Sequence, residues 1–196
     1  MSARTALAGL AVAATILTAL PVLGGTTSHD DPNDADGRLD VRSVTLDDTA
    51  SPLEWRIAAF RPWTIREIWD RGFVVVQFDT KGDARVDHLA VVSSNGRNLT
   101  GTLNRVRADG RPVGIGRFHV NKAGGRAVAL TIALHRLSIG AHRTSFSWNV
   151  VTSFLGGSCP RTCFDVVPDV GMVEQPLPGP SPSPTGPSPS PTGPSG

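Results

Sequence analysis

Two short acidic stretches hold the residues best suited to chemistry. Asp34, Asp36 and Asp40 lie around Gly37, and Asp79, Asp83 and Asp87 lie around Gly82. Carboxylates on glycine-bearing loops offer hard oxygens in a flexible arrangement, and Ca²⁺ takes about six to eight such donors. Neither stretch is an EF-hand loop, because no glutamate closes it. Asp and Gly also favour ordinary turns. Each stretch is therefore read either as a plain turn or as part of a calcium site.

Other chemistry has weaker footing. His29, His88, His119, His135 and His142 show no tight metal-ligand spacing. No Gly-x-Ser-x-Gly stretch poises a nucleophile, and Ser93-Ser94-Asn95-Gly96 reads as a hairpin turn. Only Glu54, Glu67 and Glu174 could join aspartates in a glycosidase pair. The chain is read as non-catalytic, with structural calcium as its one cofactor candidate. Among the tryptophans, Trp55 and Trp148 fit apolar strand positions, and Trp69 shares a helical face with Ile65 and Ile68. Trp63 follows Pro62 at a loop and is the candidate for an exposed ring that stacks on a ligand.

Cys159 and Cys163 enclose Pro-Arg-Thr. No histidine lies near enough to complete a metal site, and a redox dithiol usually has two intervening residues. A structural disulfide is expected, which suits an exported protein.

The elements that position these residues follow from composition. Arg4 precedes an apolar run from Ala6 to Leu20, then Pro21 and two glycines. A run of about 15 residues is signal-peptide length and short for a membrane span. Residues 1–25 are read as a signal peptide, cut near Gly25, with no stable membrane span after cleavage. Residues 26–37 are read as a flexible acidic segment. Residues 38–174 form one domain. Residues 175–196, with a repeated Pro-Ser-Pro-Ser-Pro-Thr-Gly, are read as a disordered tail. Net charge is only +2. Arg105, Arg107 and Arg111 are interspersed with neutral residues and Asp109, which describes a solvated face and no nucleic-acid patch.

Within the domain, apolar residues recur every second position. Val128, Leu130, Ile132 and Leu134 share one face, as do Phe146, Trp148, Val150 and Phe154. Phe73 to Phe78 is apolar on both faces. Thr64 and Glu67 have capping-box spacing, and Gly72 could end a short helix in the left-handed conformation. The pattern predicts an all-β, antiparallel, jelly-roll-like β-sandwich with one short helix; a closed barrel is the alternative.

The runs Gly37-Arg38-Leu39-Asp40-Val41, Phe78-Asp79-Thr80-Lys81-Gly82-Asp83, Asp87-His88-Leu89-Ala90-Val91 and Phe164-Asp165-Val166-Val167-Pro168-Asp169, with the strand around Trp148, resemble exported actinobacterial β-sandwich domains. Those domains are similar to the DOMON and family-9 carbohydrate-binding-module sandwiches, including the C-terminal module of glucodextranase. The likeness spans about Arg38 to Met172. It implies a sandwich fold, extracellular ligand or glycan binding, and in some cases bound calcium. The expected function is a secreted, non-catalytic binding module for an extracellular glycan or cell-wall component. A cell-envelope structural or interaction protein is the alternative, and a small secreted hydrolase the third reading.

Overall fold

A computed structural model describes residues 25–49, 52–140 and 142–177. The expected signal peptide, apart from Gly25, and all but the first residues of the expected tail lie outside the described residues. The described residues form eleven antiparallel strands: β1 (Thr26–Asp30), β2 (Val41–Asp47), β3 (Leu53–Ala59), β4 (Gly72–Asp79), β5 (His88–Ser94), β6 (Leu99–Val106), β7 (Pro112–Ala123), β8 (Ala127–Ile132), β9 (Ser145–Gly156), β10 (Cys159–Val167) and β11 (Val173–Pro176). Their order is β1-β2-β3-β8-β7-β6-β5-β4-β9-β10, with β11 also on β9. The long strand β7 joins two layers. Its first half pairs with β6 and its second half with β8. The sheet thus curls into the expected sandwich, with β1, β2, β3 and β8 in the smaller layer.

Alternation decides what each face meets. Val44, Leu46, Trp55, Ile57, Val128 and Leu130 point inward from the smaller layer. Val74, Val76, Phe78, Trp148 and Val150 point inward from the larger. Trp55 meets Phe78 edge-on across the layers, with ring centroids 5.4 Å apart. Such contacts add to the burial term that holds the two sheets together.

Three local expectations are corrected. Residues 26–30, placed in a flexible segment, form β1 and pair with β2. The ordered chain also runs past 174, because Gln175 is buried and donates to Asp48 Oδ2 at 2.6 Å. The short helix does not form. Thr64 and Glu67 do make both reciprocal capping bonds, at 2.7 and 3.2 Å. However, Asp70 takes the left-handed conformation, and the chain passes through turns straight into β4. Gly72 is instead a site of close approach: a Cβ there would sit 3.0 Å from Leu39. Among the described residues, the helical ones are a 3-10 turn at Leu134–Leu137.

Candidate functional site

The curled sheet leaves an open edge where β2 comes near β10, and the loop 31–40 crosses it. Three contacts fasten the loop. Thr152 Oγ1 donates to the Leu39 carbonyl at 2.7 Å, and the Val41 N–H donates to Asp165 Oδ2 at 2.6 Å. The Cys159 sulfur lies 2.8 Å from the Asp36 carbonyl oxygen. Cys159 and Cys163 are joined as a disulfide with Cα atoms 5.7 Å apart, as expected. Gly37 has φ +123°, and a Cβ there would meet the Cys159 sulfur at 2.9 Å. Only glycine lets the loop lie this close to the disulfide.

This crossing gathers carboxylates. Ligand atoms of Asp31, Asp34 and Asp165 lie within 4.8 Å of one another. Asp40 is outside this set of three, but its charge acts on Asp31, and those of Asp165 and Asp34 act on it. Asp31, Asp40 and Asp165 are 8 %, 2 % and 6 % exposed. Neither oxygen of Asp40 has a hydrogen-bond partner, nor has Asp31 Oδ2. Burial, and then the neighbouring Asp165, Asp169, Asp34 and Asp40, push the Asp31 carboxyl up to about 7. Burial and then Asp165 push Asp40 up to about 6, against a weaker pull from the nearby Ala35 N–H, which falls short of hydrogen-bond geometry, and from Arg61. Asp165 is raised by burial, despite amide bonds from Val41 and Val166.

The second acidic stretch converges too, but differently. Ligand atoms of Asp79, Asp83 and Asp87 also lie within 4.8 Å. Here the loop itself answers the charge. Asp79 accepts the N–H groups of Lys81, Gly82 and Ala84 at 3.0, 2.5 and 2.8 Å. Asp87 Oδ2 accepts the Thr80 and Lys81 N–H groups and the Thr80 hydroxyl at 3.0, 3.1 and 3.1 Å. Its other oxygen pairs with Lys81 Nζ. Burial raises Asp87, but these bonds outweigh it and hold its carboxyl below the usual range. The two groups do not meet. On β9, Asp79 is level with Ser147 and Asp165 with Thr152. Five residues along a strand is about 17 Å.

Of the remaining predicted residues, Asp36 is exposed and outside both groups. Trp63 is not an exposed ring. It is buried, its Nε1–H donates to the Arg126 carbonyl at 3.0 Å, and Lys122 Nζ lies 3.8 Å from its ring centroid. The exposed indole is Trp69, at 49 %, resting on Gly96, where a Cβ would come within 3.1 Å of the ring. Failure of the helix turns Trp69 outward. Phe73 and Phe164 are exposed as well, Phe164 at 65 %. Both are level with Ser153, so the three share one row on the outer face of the larger sheet. Little in the sequence marks them out, because valines share the outer register of both strands: Val75 with Phe73 and Val166 with Phe164.

No protein-family model, no curated protein and no solved structure matches the chain.

Proposed function

We propose that this chain is an exported, non-catalytic binding module that holds a glycan on the outer face of its larger sheet. One observation carries the reading: the cross-strand row Phe73-Ser153-Phe164, with two exposed rings flanking a hydroxyl. The rings are two strand spacings apart, about 9.6 Å, comparable to a disaccharide unit. Trp69 lies at the same end of the sheet, since Val74 is level with Val92 and the Gly96 turn follows shortly after. Gly96 covers one face of its indole. A flat, backed ring beside hydroxyls suits a pyranose, which presents an apolar face and polar edges. The disulfide supports export.

Retention of the purified chain on insoluble chitin, β-glucan or peptidoglycan tests this. Retention is expected on at least one, with a loss of tenfold or more in W69A and in the F73A/F164A pair. No retention on any of the three, or equal retention of the variants, overturns the reading. The envelope-protein alternative keeps one supporting observation. Val75, Val91, Val151 and Val166 form the next row of the same face, a surface that could also meet protein. A dimer in light scattering that F73A/F164A dissolves would favour it.

A further inference from the structure

We infer that Asp31, Asp34, Asp40 and Asp165 form a calcium site that fastens the 31–40 loop, and with it the smaller sheet, onto β10. The acidic cluster alone does not establish this. The second observation is Asp31, 92 % buried, a member of the converging group whose Oδ2 has no hydrogen-bond partner. Asp40, 98 % buried, adds two carboxylate oxygens without a partner at hydrogen-bond geometry. Buried carboxylates are otherwise paired or hydrogen-bonded, because an isolated buried charge is costly. No lysine or arginine forms an ion pair with any of the four among the described residues. What the arrangement lacks is positive charge with several coordination positions.

The chemistry of the donor set selects the ion. All the donors are hard carboxylate oxygens, so soft metals are disfavoured. Donors on opposite sides of Ca²⁺ lie up to about 5 Å apart, twice a bond of roughly 2.5 Å. Asp31, Asp34 and Asp165 fall within that span, at no more than 4.8 Å. Mg²⁺ sheds its water reluctantly and usually takes one or two carboxylates, whereas three converge here. Asp34 is exposed, which gives the ion a way in. Asp169 is exposed, and its charge also reaches Asp31 and Asp165. The Val41 N–H occupies one Asp165 oxygen and orients the other.

The placement explains what the ion would do. Asp31 ends the β1 side of the loop, Asp40 immediately precedes β2, and Asp165 is on β10. Strands from the two ends of the sheet order meet here without a backbone ladder between them. A shared ion would staple that seam.

The full exported chain, stripped with EDTA, is titrated with Ca²⁺ and separately with Mg²⁺ at pH 7.5, by calorimetry and thermal melting. One Ca²⁺ site is expected. At a hundredfold excess over Kd, Tm should rise by roughly 5–10 °C. D34N, exposed and safe for folding, should weaken Ca²⁺ at least tenfold. D40N should abolish binding while raising the calcium-free Tm, since it removes a buried unpaired charge. No binding of millimolar Ca²⁺, tighter binding of Mg²⁺, or unchanged Ca²⁺ affinity in D34N and D40N would each overturn the assignment.

Discussion

The two acidic groups have the same composition, three close aspartates of which two are buried, and opposite surroundings. Around Asp79 and Asp87, the loop supplies its own donors: five backbone N–H contacts, a hydroxyl and an ammonium group. Around Asp31 and Asp40, the backbone supplies almost none, and the carboxylates face each other across a seam. The lesson is that acidic content does not define a cation site. A tight turn lets aspartates cap the amides of the next few residues. A loop stretched between two sheets cannot fold back on its side chains, so their charge stays unanswered.

The largest effect should come from breaking the self-satisfied group. Asp79 accepts three backbone N–H groups, and hydrogen bonds to charged acceptors contribute more than neutral ones. Asp79→Ala should cost about 3 kcal/mol in urea unfolding, with at least one amide left unpartnered. The loss should be the same in EDTA and in calcium. A cost that appears only with calcium present would mean that Asp79, not Asp40, holds the ion.

The sequence already showed the sandwich, because its signal is local. Val128, Leu130 and Ile132, or Phe146, Trp148 and Val150, alternate within a few residues and are buried as that pattern requires. Half of the acidic site was also visible, in Asp34 and Asp40. Asp165 was not, since its strand meets the loop only after the sheet has curled. A clue existed: Asp165 interrupts the apolar run Phe164 to Val167 at an inward register, opposite buried Thr152. Asp31 stood at the edge of a stretch read as flexible. The helix shows the reverse failure. Its capping box forms as written, yet Asp70 reverses the chain before a second turn can build. A local start signal cannot outweigh burial of Ile68 and entry into β4.

A second, smaller effect separates the groups by pH. Asp31, Asp40 and Asp165 have raised pKa values, so the folded chain holds their protons more tightly than the unfolded one. Their contribution to calcium-free stability should be full below the unfolded value of about 4 and lost as pH climbs toward 7. Asp87 has a lowered pKa, so its contribution is full above that unfolded value and lost in acid below it. Burial lowers His88, whose contribution fades as pH falls below its usual value of about 6.5. In EDTA, urea melts should show about 2 kcal/mol less stability at pH 7.5 than at pH 5. The double variant D31N/D40N should abolish or invert that slope. A wild-type profile that rises from pH 5 to 7.5 without calcium would contradict the buried, unpaired state of these carboxylates.

The smallest effects sharpen the boundary of each group. Asp83 is exposed and accepts only the Arg85 N–H, at 3.2 Å. Asp36 is exposed and contributes its carbonyl, not its carboxylate, to the contact with Cys159. Asp83→Asn and Asp36→Asn should each change stability by no more than about 0.5 kcal/mol. Both should leave the calcium-induced rise in Tm intact. Asp36 is the more telling of the two, because it is only two residues from Asp34. If Asp36→Asn weakened calcium as much as Asp34→Asn, proximity of charge along the loop would matter more than the direction each carboxylate faces. An unchanged response would tie the site to the side chains turned toward Asp165.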